Sequence, residues 1–144
     1  MPKKYSEEEL FDLAKNYVEQ AEKDAEQNPA SDQIQVVVVE PNKRPYKKTI
    51  PNTLEAQQGL VGGYIEIVRM GNTETGGSVA ITLNEEGKLM GLPVNRMIIA
   101  RNGSDFFVGT FFITAFNMQG DNISLKDHEC DHFIKIFERM EVYI

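Results

Sequence analysis

Residues 33–41 read Gln-Ile-Gln-Val-Val-Val-Val-Glu-Pro, and the six from 34 to 39 decide the architecture. The run is β-branched, apolar at odd and even positions alike, too short for a helix and closed by Pro41. That is how a central strand covered on both faces reads. A turn at 42–44 then leads to a second strand over 46–50, paired with the first as a hairpin.

Upstream, Ser6 followed by Glu9 forms a capping-box pattern. Behind it Leu10, Leu13, Ala14, Tyr17, Val18, Ala21 and Ala25 recur at helical spacing. The reading is a helix over 6–27, polar on its other face, stopped by Asn28-Pro29 and followed by a linker at 30–33. Its apolar stripe is expected to pack on something. Downstream, Asn52 or Thr53 caps a short helix that Gly62-Gly63 ends by allowing positive φ. Strands are expected over 64–70 and 79–83, a polar loop over 71–77, and a short returning strand over 88–90. Gly91-Leu92-Pro93 breaks regularity, and Asn95-Arg96 fits neither helix nor strand clearly. Residues 106–116 read as one long strand bent at Gly109. Ser124 with Asp127 caps a final helix whose buried stripe is Cys130, Phe133, Ile134, Phe137 and Met140.

Tight turns rather than strict strand–helix alternation give an α+β domain. We expect a mostly antiparallel, or mixed, sheet of five to six strands, with helices on one face and an N-terminal and a C-terminal helix packed on it. Residues 1–33 form an acidic helix and linker, and 34–144 a single domain. The 144 residues, 41% of them hydrophobic, suffice for one core.

No apolar run approaches the roughly 20 residues that span a bilayer, so no membrane contact is expected. The single cysteine, Cys130, excludes internal disulfides and suits a reducing compartment, with cytoplasm the default. The net charge of −7 is uneven: residues 1–33 carry −5, 34–51 carry +3 and 52–144 carry −5. An acidic surface disfavours nucleic acid and anionic lipid. Mimicry of a duplex, with one charge per ~1.7 Å of axis, would need far more acid than this.

The sharpest enzymatic pattern is residues 128–132, which read H-E-x-x-H. On a helix His128 and His132 would lie one turn apart and could bind zinc, with Glu129 activating water. Against it, no further histidine follows, Asp131 adds charge, and the stripe through Cys130, Phe133 and Phe137 turns His128 outward. Lys43, Arg44, Lys47 and Lys48 around Tyr46 could meet phosphates, but lysines on an exposed strand edge also guard against aggregation. Gly59, Gly62 and Gly63 lack P-loop spacing. What no fold rule requires is a polar set of Tyr64, Glu66, Asn84, Glu85, Lys88, Asn95 and Arg96. Such residues suit a ligand or partner pocket in which Arg96 supplies charge and Asn95 direction. No catalytic residue and no cofactor is expected.

The stretches 38–41, 52–56 (NTLEA), 61–66 (VGGYIE) and 84–96 (NEEGKLMGLPVNR), continued by 108–113 and 124–127 in the same order, resemble a known family. It is a domain of unknown function met in bacterial phages, plasmids and integrated mobile elements, and the likeness covers about residues 34–140. The resemblance implies a genomic setting and a fold, but no activity and no site. The expected function is a non-enzymatic accessory protein that binds a host factor or a small anionic ligand. The alternative is a zinc-dependent hydrolase using residues 128–132. A homodimer, or a partner docked on the N-terminal helix, is a further expectation.

Overall fold

The computed structural model describes residues 4–144, so the first three residues of the expected 1–33 segment lie outside the described residues. The elements in chain order are α1 Glu7–Gln27, β1 Gln33–Val39, β2 Tyr46–Pro51, α2 Leu54–Val61, β3 Ile65–Asn72 and β4 Ser78–Asn84. There follow β5 Val94–Ala100, β6 Gly103–Val108, β7 Phe111–Phe116, β8 Asn122–Ile123, α3 Asp127–Phe137 and β9 Glu141–Tyr143. The fold is α+β. Its main sheet is antiparallel and six-stranded, in the order β2-β1-β7-β4-β3, with β8 taking up the end of β7 beyond β1.

The valine run forms a central strand, and both of its faces are covered. Val37 and Val39 join Ile81, Phe111 and Ile113 on one face, against Cys130 and Phe137 of α3 and Ile98, Phe107 and Val142 of a second sheet. Ile34, Val36 and Val38 join Phe112 on the other, against Val61 of α2. The sequence led us to expect helices on one face; instead α2 and α3 lie on opposite faces, because a strand apolar on both sides needs a cover on each.

The second sheet is three-stranded, β6-β5-β9, with β5 antiparallel to β6 and parallel to β9. It arises because residues 106–116 are not one bent strand. Gly109 adopts φ 70, a conformation glycine takes without penalty. A Cβ there would stand 2.7 Å from Leu92 Cδ1. The chain turns at this point, leaving β6 in the small sheet and sending β7 into the large one. Residues 88–90 form no strand either; the whole segment from 85 to 91 is turn.

Local punctuation follows the sequence closely at three helix ends. Ser6 Oγ accepts from Glu9 N at 3.1 Å, Thr53 Oγ1 from Ala56 N at 3.1 Å, and Gly62 stops α2 with φ 80. The final helix differs. Its first turn is closed by Lys126 N–H donating to Glu129 Oε1, whereas Ser124 Oγ accepts from Gln35 N and ties this segment to β1. Met140 falls beyond the helix and is half exposed.

Phe137 stacks edge-on against Phe111, and Phe111 against Phe107, both with ring centroids 5.7 Å apart. This aromatic row joins α3, the main sheet and the small sheet. Phe137→Ala should lower the free energy of unfolding by about 3–5 kcal/mol, read from urea denaturation.

Candidate functional site

The register of β5 against β6 breaks between Val94 and Arg96. Strand alternation would send Asn95 and Arg96 to opposite faces, but an extra residue at a bulge re-aims side chains. Here both turn inward: Asn95 is fully buried and Arg96 only 2% exposed. Asn95 Nδ2 donates to Val39 O and to Gly109 O, each at 2.8 Å. Its Oδ1 accepts from Arg96 Nη1 at 2.7 Å. The guanidinium also donates to Asn95 O (2.9 Å), Phe137 O (2.9 Å) and Lys43 O (3.0 Å).

Among the described residues, no ion pair includes Arg96. Burial pushes its pKa below the ordinary guanidinium value. What offsets the buried charge is neutral carbonyl oxygen, including that of Phe137 at the C-terminal end of α3, where the helix dipole is negative.

In front of the guanidinium lies an open cavity of about 540 Å³ lined by Asn42, Lys43, Arg44, Arg96, Glu138 and Met140. Arg44 meets Glu138 at 2.6 Å and Lys43 meets Glu40 at 3.7 Å. Asn42 holds the left-handed conformation, φ 61, which its short side chain tolerates. One residue of the expected polar set, Arg96, thus meets Lys43 and lines the cavity with Arg44, both of which the sequence placed on a separate hairpin, while Asn95 braces Arg96 from behind.

The other five stand elsewhere and do not line this cavity. Asn84 is buried and closes its turn: Nδ2 donates to Val61 O at 3.2 Å and Oδ1 accepts from Glu86 N at 2.8 Å. The Tyr64 carbonyl accepts from Glu85 N at 2.8 Å, while the Tyr64, Glu66 and Glu85 residues themselves are exposed. Lys88 pairs with Asp105 across two exposed surfaces.

The H-E-x-x-H segment does not assemble a metal centre. His128 is exposed with Nε2 3.3 Å from Glu74 Oε1, His132 is exposed against the ring of Phe133, and Glu129 is engaged at the start of the helix. Among the described residues, no three His, Cys, Asp or Glu side chains are grouped to hold a metal ion. Cys130 lies between the two histidines in sequence but points into the core, and burial pushes its thiol up to about 11. Lys47 and Lys48 lie on β2, an edge strand, with Lys47 3.6 Å from Asp127.

The largest apolar exposure belongs to α1. Leu10, Phe11, Leu13, Tyr17 and Val18 are between 48% and 69% exposed. The polar ties of this helix to the sheets come from its C-terminal end. Asp24 Oδ2 accepts from Met118 N at 2.6 Å, and Asn28 donates to Thr75 Oγ1 and accepts from Asn117 Nδ2. Burial raises the Asp24 carboxyl, but the hydrogen bonds from Thr75, Met118 and Asn28 together outweigh it and hold the group below its usual value. No helix among the described residues is long and apolar enough to cross a membrane.

Two stacked sheets joined by a buried Asn–Arg pair, with a cationic recess beside it, define a small α+β domain. The chain belongs to the family described as a domain of unknown function (DUF3846), whose model matches residues 34–138. Comparisons with curated proteins and with solved structures give no match. The matched span begins in β1 and ends just past α3, so α1 lies outside it.

Asn95→Leu should remove the two buried hydrogen bonds to the Val39 and Gly109 carbonyls, lowering stability by about 2–4 kcal/mol in urea titrations. Asp24 contributes stability that is present above its unfolded pKa of about 3.9 and lost as pH falls through the lower folded value. The stability advantage of wild type over Asp24→Asn should therefore shrink as pH is lowered from about 5 to about 3, measured by denaturation at each pH.

Proposed function

We propose that this protein is a non-enzymatic accessory protein of a phage or other mobile element, and that it acts by docking a host protein through α1. The observation that carries this reading is the apolar face of α1, which the other described residues leave about half exposed. Contiguous apolar surface of this kind, rimmed by polar groups, marks interaction sites on soluble proteins. An amphipathic helix laid into a groove is a common mode of such recognition.

The face is flanked by Glu7, Glu8, Asp12, Glu19 and Glu22, with few bases between them. The complementary partner is an apolar groove with a basic rim. Pairing of two copies through α1 alone would bring acid against acid along the whole helix, which disfavours it. The mobile-element setting is supported by the resemblance carried by residues 84–96 and their companion stretches. A reducing, cytoplasmic location suits a protein with one buried thiol. The domain matched by the family serves, in this reading, as the platform that holds the helix by Asp24 and Asn28.

The test is a triple substitution, Leu10→Glu, Phe11→Glu and Leu13→Glu, on side chains that the domain does not need for its core. The variant should keep the wild-type circular dichroism spectrum and urea midpoint. It should lose the host protein that wild type retains in parallel affinity captures. Identical captures, or a wild-type dimer that the triple variant converts to monomer in light scattering, would refute host docking through α1.

A further inference from the structure

From the recess beside the Asn95–Arg96 pair we infer a second binding site, separate from α1, that takes the phosphate or diphosphate group of a small soluble molecule. The first observation is the state of Arg96. Its Nε and Nη1 hydrogens are all engaged, but Nη2 has two and donates one, to Lys43 O. No protein acceptor among the described residues is assigned to the other, and Arg96 lines the cavity. A buried guanidinium with neutral acceptors and no carboxylate lacks its natural counterion.

The second observation is what surrounds that hydrogen. Lys43 and Arg44 line the recess with Arg96, so three basic residues and one acid, Glu138, border it. The local balance is positive in a chain whose net charge is −7. The Arg44 side chain is 77% exposed and, among the described residues, is paired with Glu138, a pair that an incoming oxyanion can replace with better geometry. The Lys43 ammonium stands 3.7 Å from Glu40. The backbone geometry favours the same arrangement: Asn42 takes the left-handed conformation just before Lys43, whose carbonyl reaches Arg96.

A phosphate oxygen seated here accepts from the spare Arg96 hydrogen and from Arg44, which leaves Glu138. Planar guanidinium groups match tetrahedral oxyanions through paired hydrogen bonds. The recess volume of about 540 Å³ falls within the range of small-molecule sites, so a body beyond the anion has room. An anionic lipid surface is the weaker source for the same phosphate, since the acidic remainder of the protein is repelled by it.

Calorimetric titration of the full chain with inorganic pyrophosphate, against sodium chloride of matched ionic strength, tests the site. Arg96 is left untouched because its loss would disturb the fold. Wild type should show one saturable site that chloride does not reproduce. Arg44→Ala should weaken it by about tenfold, the size of one charged hydrogen bond. Glu138→Gln should strengthen it, because the competing carboxylate is gone. Heat that chloride reproduces, or equal affinity in wild type and Arg44→Ala, would overturn the assignment.

Discussion

Asn95 and Arg96 are the constraint on which the rest of the structure depends. Between them they donate to carbonyl groups at the end of β1, at the corner between β6 and β7, at the end of α3 and in the loop between β1 and β2. Those carbonyls stand at the ends of elements or in loops, where buried polar groups are costly unless a donor meets them. One bulge in one strand supplies the donors for all four. The hydrophobic row of Phe107, Phe111 and Phe137 then packs the same elements that the pair has fixed in position.

The stretch 84–96, which carries the family resemblance, reads differently once its contacts are known. Asn84 closes a turn, Pro93 O accepts from Gly109 N at 2.7 Å, and Asn95 with Arg96 pins both sheets together. Most of this motif maintains a joint. The recess is a by-product of that joint: bringing the loop at 42–44 down to Arg96 leaves Lys43 and Arg44 facing a buried cation. In the site we propose, Arg96 would therefore serve both the fold and the ligand, whereas Arg44 stands outside the joint.

How much could be read beforehand follows from the range of the interactions. The caps of α1 and α2, the stop at Gly62 and the double-sided burial of β1 are set by residues within one or two turns of each other, and all were legible. The split of residues 106–116 was not, because Gly109 inside a β-branched run looks the same whether the strand bends or changes sheets. Leu92, which crowds Gly109, is far away in sequence. The recess was half legible. Arg96 stood out as a charge without a structural reason, but the acceptors that hold it lie 41 and 53 residues distant, and no pattern joined it to Lys43 and Arg44. The apolar stripe of α1 was read correctly as amphipathic; that the other described residues leave it about half exposed could only come from the fold.

The strand order also carries a consequence in time. β1 with β2 and β3 with β4 are hairpins between sequence neighbours, yet the two pairs do not touch in the ladder; β7, synthesised later, lies between β1 and β4. Until β7 arrives, the nascent chain carries two valine- and isoleucine-rich edges with open hydrogen-bonding groups, the kind of surface that joins other chains. Closing the sheet is a long-range event and therefore slow relative to hairpin formation. The insertion of one six-residue strand thus ends the interval in which both edges stand open.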